Sequence, residues 1–252
     1  MEELKRELSI FADGTNIAGG CRVELRARSG LGLHPRVCEV AVDDLSESSG
    51  ALLRGAREIE IRSGDSLLAW GRVMAALTRP LGARRRTEVT FAAGLDLWEA
   101  SAALTLAGPM RVSDAMRALL RASGTGMSLA AFTAEDRTLA RPQAFFGRVC
   151  EGLESLAGAV EADLALSPAG VCVLSRGKAG ARADIMEEAE LLAAPLPAGD
   201  HLLMRTRPRG WQPGCPVRGK WKGQSYAGRA LAVRIQADNR EGPWLCEVEV
   251  EG

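Results

Sequence analysis

The sequence predicts a mainly β protein, antiparallel in its pairing, with a small α+β insert that carries the helices. Three observations support that expectation. Segments of alternating apolar and polar residues, the period of a half-buried strand, fill the first hundred residues. Helical spacing is confined to the middle of the chain, after residue 108. Strand-like segments then return from residue 185 to the end. Short strands separated by turn residues belong to a sandwich or a barrel.

The first six strands are "LSIFA", "CRVELRA", "RVCEVAV", "REIEIR", "LLAWGRVMAAL" and "RTEVTFAA". Asp13-Gly14, Gly30-Leu31-Gly32, Gly64-Asp65 and Pro80-Leu81-Gly82 punctuate them. Between the third and fourth, a polar run from Ser46 to Gly50 leads into one helical turn holding Leu52 and Leu53. A first full helix follows in "RVSDAMRALLRASGTG". Ser113 is its expected cap, Asp114 lies in its first turn, and Ala115, Met116, Leu119 and Leu120 share one face. Gly124 closes it. A second helix puts Val149, Leu153, Leu156 and Val160 on one side. Both helices are one-sided, so each is expected to lie on a sheet. A hairpin turning at Ser167-Pro168-Ala169-Gly170 comes next. Five closing strands are "ELLAA", "HLLMRTR", "CPVRGKW", "RALAVRIQADN" and "WLCEVEVEG", the last two joined by a hairpin loop.

Composition excludes several function classes. The 32 cations balance the 32 acids, so bulk attraction to nucleic acid or anionic membrane is not implied. No apolar run is long enough to span a bilayer as a helix, and "MEELKRELSI" lacks the apolar stretch of a secretory signal, so no membrane anchor is expected. Cys21, Cys38, Cys150, Cys172, Cys215 and Cys246 are widely spaced without a C-x-x-C pair. They are expected to be buried free thiols in a reducing compartment, several of them within strands, with no metal and no cofactor.

Catalytic patterns fail on inspection. The only histidines, His34 and His201, occur without a G-x-S-x-G elbow, and a polar surface role is expected for both. "GCPVRGKW" has the spacing of a phosphate loop, but Trp221 stands where a magnesium-holding hydroxyl belongs and no helix follows. "SRGK" (Ser175 to Lys178) lacks the helix its pattern needs. "MEEAE" (Met186 to Glu190) is a solvated acidic run. Two basic clusters remain, Arg79 to Arg86 and Arg205 to Lys222. The second interleaves cations with Trp211 and Trp221, which leaves open an Arg/Trp-rich module binding nucleic acid or carbohydrate.

Several spaced motifs occur in a fixed order. Asp44-Leu45-Ser46 precedes the helical turn, and Gly71-Arg72-Val73 opens the long fifth strand. Val112, Asp114, Ala115, Met116, Arg117 and Leu119 follow, then "TRPRGWQPG", "YAGRALAVRIQADN" and "REGPWLCEVEV". This order resembles the baseplate hub, or tail hub, proteins of long-tailed bacteriophages and related contractile injection systems. In that family the motifs run N-L-S, G-x-(I/V), V-x-D-(V/A)-(I/M)-R-x-(L/I), L-x-P-x-(I/L)-x-P-G and a closing hairpin with G-x-W.

The resemblance implies two antiparallel β-barrel-like tube domains. Residues 1–104 would form the first barrel, 105–185 the helix-bearing middle, and 186–252 the strands completing the second. It implies a non-enzymatic structural protein of the virion tail baseplate, made in the host cytoplasm. Three copies would form a ring joining a sixfold tail tube to a threefold spike. Its partners would be itself, the tail tube or distal tail protein, the spike or tail-tip protein, and the tape measure protein. Arg79, Arg84, Arg85, Arg86, Arg205, Arg207, Arg209 and Trp211 are then the expected partner-facing rim, since unpaired buried guanidinium is too costly.

Overall fold

The computed structural model describes residues 6–17, 19–176, 184–186 and 191–251. The chain begins with β1 (Ser9–Ala12), β2 (Thr15–Asn16), β3 (Val23–Gly30), β4 (Val37–Asp43) and helix α1 (Glu47–Gly55). Then come β5 (Glu58–Ser63), β6 (Ser66–Leu81), β7 (Arg84–Ala92) and the short α2 (Leu95–Glu99). The middle holds β8 (Ser101–Leu106), β9 (Met110–Arg111), α3 (Val112–Ser123), β10 (Leu129–Phe132), β11 (Thr138–Leu139) and β12 (Gln143–Arg148). It continues with α4 (Val149–Ala159), β13 (Ala162–Ser167) and β14 (Gly170–Ser175). The end supplies β15 (Asp184–Met186), β16 (Leu196–Ala198), β17 (His201–Thr206), β18 (Pro216–Trp221), β19 (Gln224–Asp238) and β20 (Trp244–Glu251).

The fold is mainly β, as the alternating pattern predicts. Strands from both ends of the chain form one 13-stranded sheet, whose order runs β16-β17-β20-β19-β3-β4-β7-β6-β5-β1-β2. The join is the antiparallel β3–β19 pair, with Leu25 opposite Ala237 and Ala27 opposite Ile235. Inward positions of both arms share one core: Leu25, Val40, Ile61 and Phe91 cluster with Val233, Ile235, Cys246 and Val248. A second core belongs to the helix-bearing middle, where Met116, Leu119 and Leu153 pack with Val171 and Val173. Each fully buried Leu, Val or Phe contributes roughly 1.5–3 kcal/mol of burial, set against the conformational entropy lost on folding.

Local chemistry explains the punctuation. Ser46 caps α1 by accepting the Ser49 N–H at 3.1 Å, and Leu53 anchors the helix in the core. The expected single turn is thus a nine-residue helix. Asp44 just before it has φ +57°, a left-handed conformation that Asn and Asp tolerate better than most residues. α3 starts at Val112, one residue ahead of the expected cap. Ser113 does not cap it: its N–H and hydroxyl both donate to Asp136, at 3.0 and 2.8 Å, so a distant loop satisfies the helix start. Gly124 ends α3 at φ +69°, as anticipated.

Two motif glycines have geometric reasons. A side chain at Gly71 (φ +155°) would put its Cβ 2.4 Å from the Ala92 carbonyl carbon, where β6 crosses the end of β7. One at Gly214 (φ +85°) would lie 2.0 Å from Leu174 Cδ1, where the C-terminal arm meets the middle. Of the expected strands, "ELLAA" supplies only an isolated bridge, Leu191 to Thr206, within the described residues. The paired ribbons β8–β12 and β9–β11 were not anticipated.

Candidate functional site

The first basic cluster is the tip of the long β6–β7 hairpin. Its turn is Gly82-Ala83, and the register places Leu81 opposite Arg84, Pro80 opposite Arg85 and Arg79 opposite Arg86. β5 pairs with β6 only from Ser66 to Arg72. The outer half of β6 therefore has no strand on its second side among the described residues. Met74, Leu77 and Leu81 are exposed there, beside Arg79 and Arg84. The ion pairs of Arg79 with Glu88 and Arg84 with Asp44 are loose, each 3.7 Å. Arg85 is held by its backbone, which donates to Asp44 Oδ1 at 3.2 Å and accepts the Asp44 N–H at 2.8 Å.

Arg86 does not belong to that rim. Its guanidinium is only 22% exposed and bridges Glu24, Asp43 (3.2 Å) and Glu88 (3.8 Å) across three strands. The hydrogen bond from Arg86 holds the Glu24 carboxyl below the usual carboxylate range. An expected partner contact is thus an internal brace. The cause is register: Arg86 sits opposite Asp43, so its charge is neutralised within the sheet.

The second cluster divides as well. Arg205, Arg207 and Arg209 are exposed, with Arg205 donating to Glu247 at 2.9 Å. Trp211 is not a rim residue. It is 5% exposed and packs in the sheet core, because the segment folds back onto the start of β6. A Cβ on the preceding Gly210 would lie 2.9 Å from the Leu67 carbonyl oxygen. Leu67 and the arginine tip stand at opposite ends of β6, roughly 45 Å apart along the strand at about 3.3 Å per residue. The segment at Gly210 thus sits at the end of β6 away from the arginine tip.

The remaining candidates resolve individually. His34 packs against Trp98 with ring centroids 4.5 Å apart, and His201 faces Asp200 at 3.2 Å. The phosphate-loop look-alike is strand β18, with Arg218 and Lys220 on its exposed face. Ser175 ends β14, while Lys178 and the acidic Glu187 to Glu190 lie outside the described residues. Among the described residues no group of three His, Cys, Asp or Glu gathers as a metal site. No helix there is long and apolar enough to cross a membrane. The described cysteines are free, and burial pushes the Cys246 thiol up to about 12.

One cluster escaped the sequence. Arg229 on β19 is buried, and its guanidinium holds Asp163 of the middle and Glu251 of β20, both at 2.8 Å. It also donates to the Ser175 carbonyl at 3.3 Å. This clamp fastens the helix-bearing middle to the C-terminal strands. An arginine within an alternating strand segment carries no signal of such a role, because its partners lie 66 and 22 residues away.

No family model matches the sequence, and no curated protein matches it. Solved structures do. A tail protein from Neisseria meningitidis MC58 superposes with a TM-score of 0.67 at 13% identity, covering 97% of this chain and 95% of that one. The prophage MuSo2 43 kDa tail protein from Shewanella oneidensis gives 0.70 at 8% identity, covering 97% and 96%. An E. coli protein described as a type VI secretion component, similar to the T4 bacteriophage tail proteins gp27 and gp5, gives 0.60 at 9%, covering 98% and 74%. At these identities the likeness is one of fold, and it runs the length of the chain: this protein has the fold of phage tail proteins.

Proposed function

We propose that this chain is a structural hub of a phage tail tip or baseplate, or of a related contractile injection machine. In this reading three copies form a ring that joins a sixfold tail tube to a threefold spike, and the protein carries out no catalysis. The observation that carries it is the near end-to-end fold likeness to tail proteins at TM-scores of 0.67 and 0.70. The β6–β7 arm supports it: an open strand edge with exposed Met74, Leu77 and Leu81 invites pairing. Arg79, Arg84 and Arg85 on that arm, and Arg205, Arg207 and Arg209 at the other end, are the residues proposed to face neighbours. Those neighbours are further copies, the tube or distal tail protein, the spike or tail-tip protein, and the tape measure protein, within the virion tail. The division into two barrels flanking the middle belongs to the same proposal. An Arg/Trp module stacking on nucleic acid or carbohydrate is less well supported, since Trp211 is buried.

Sedimentation or light scattering tests the ring directly. The chain is 26.8 kDa, so a trimer has a mass of about 80 kDa, and an interface of the obligate kind buries roughly 2,000 Å² or more. A particle that stays monomeric alone and with spike protein would refute the trimeric ring.

A further inference from the structure

Among the described residues the large sheet has free edges at β16, at β2 and along the outer half of β6. β2 is two residues long, too short to template another strand. At the other two edges a proline faces outward. Arg85 turns its N–H and its carbonyl to Asp44, just past β4, at 3.2 and 2.8 Å, so it shares no backbone bond with Pro80 opposite it on β6. Antiparallel pairs alternate, so Pro80, Thr78 and Ala76 all point their backbone to the open side. Pro80 has no N–H to offer there. Arg54 of α1 donates to Thr78 Oγ1 at 2.9 Å, which sets a charge beside the same edge. β16 repeats the arrangement. Its turn at Gly199-Asp200 pairs Ala198 with His201 and Leu196 with Leu203. Pro197 is left as the residue of β16 that faces outward, again without a donor. Exposed apolar side chains flank both edges, Leu77 and Leu81 on the arm, Leu192 and Leu196 at β16.

Leucines beside an unpaired strand edge make a template for another chain, and a proline on that edge blunts it. The β16 edge of one copy laid on the β6 edge of the next is a head-to-tail contact, which repeats into an open chain unless its rotation closes a ring. We propose that Pro80 and Pro197 are assembly stops that keep copies of this chain from joining sheet to sheet. With both in place, the arm edge offers N–H donors only at Ala76 and Thr78, and β16 offers none. Neighbours then meet Leu77, Leu81 and Leu196 through side chains, or add a short segment at Ala76 and Thr78. The stops act whatever the chain assembles into, so the proposal does not depend on the tail reading.

The test is sedimentation velocity of the intact chain over a range of concentrations, comparing the parent with Pro80→Ala, Pro197→Ala and the double variant. Hydrogen exchange read by mass spectrometry follows the segment from Ala76 to Thr78. The double variant should place roughly tenfold more mass than the parent in species above the parent's own size, with each single variant in between. In those species the Ala76 and Thr78 amides should exchange about tenfold or more slowly than in dilute solution, because strand pairing protects them. Both prolines are exposed, so the dilute double variant should melt within about 4 °C of the parent. The proposal is overturned if the double variant sediments like the parent, or if its larger species leave the exchange of Ala76 and Thr78 unchanged. It is also overturned if the dilute variant has lost its fold, which would make the prolines structural.

Discussion

Replacing Arg229 with Met removes the guanidinium that fastens the middle to the C-terminal strands while keeping an unbranched apolar stem of similar length. Two carboxylates, Asp163 and Glu251, then lose a shared partner, and the Ser175 carbonyl loses a donor. Breaking a fully buried ion pair typically costs about 3–5 kcal/mol. Asp163 and Glu251 are 23% and 40% exposed on their side chains, so water recovers part of the loss. Asp163 also keeps Arg176 at 3.1 Å. The expected cost is therefore about 2.5 kcal/mol, below the fully buried range. For a chain of this size that corresponds to a fall in Tm of roughly 5–10 °C. Calorimetry of the purified protein measures it, and a cycle with Asp163→Asn should return a coupling of about 1–2 kcal/mol. A shift under 1 °C, or zero coupling, would show that the clamp does not hold the two parts together.

Other outcomes follow from the same structure. Arg79→Glu, Arg84→Glu and Arg85→Glu together should weaken self-association or spike binding by at least tenfold in sedimentation, with Tm within about 2 °C of the parent, as exposed pairs are worth little. Adding Arg86→Glu should lower Tm markedly, because it sets a fourth carboxylate among Glu24, Asp43 and Glu88. Glu24 and Asp238 are both held below their ordinary values of 4.5 and 3.8. At Asp238 burial opposes ionisation, and the Arg22 side chain and Arg240 N–H outweigh it. The stability they contribute is present above those values and is lost as pH falls through the lower folded ones, so Tm should decline steeply below about pH 4 and be flat from pH 5 to 7. Cys246 should resist alkylation at pH 8 in the native chain and label fully in denaturant, as mass spectrometry can follow. Fast native labelling of Cys246 would contradict its place in the core.

Much of the fold was legible because its strands are half-buried. Alternation in "REIEIR" or "WLCEVEV" records one face on a core, and the structure buries those residues in that pattern. The short ribbons β8–β12 and β9–β11 leave weaker traces, as their pairing is fixed by partners far along the chain. Capping of α3 was misread for the same reason: Asp136 is 23 residues from Ser113. The arginine cluster at the β6–β7 tip was legible as charge and not as exposure. Arg79 and Arg84 are on the surface, but Arg86, two residues past Arg84, turns into an acidic neighbourhood built from β3 and β4. Trp211 looked like a stacking residue because its neighbours are polar, and only the fold-back at Gly210 puts it inside.

The β3–β19 join sets a timetable for synthesis. The Val23 N–H donates to the Asn239 side chain at 2.9 Å across 216 residues of chain. At about 5–20 residues per second the ribosome needs roughly 10–40 s to bridge that distance. Through that interval the edge of β3 is an unpaired template, and the apolar face it shares with β4 and β7 lacks Val233 and Ile235 to cover it. Contacts of such long range also make for slow folding once the chain is released. The nascent N-terminal arm is thus the stage of this protein's life most exposed to misassembly, and the one at which a chaperone would matter most.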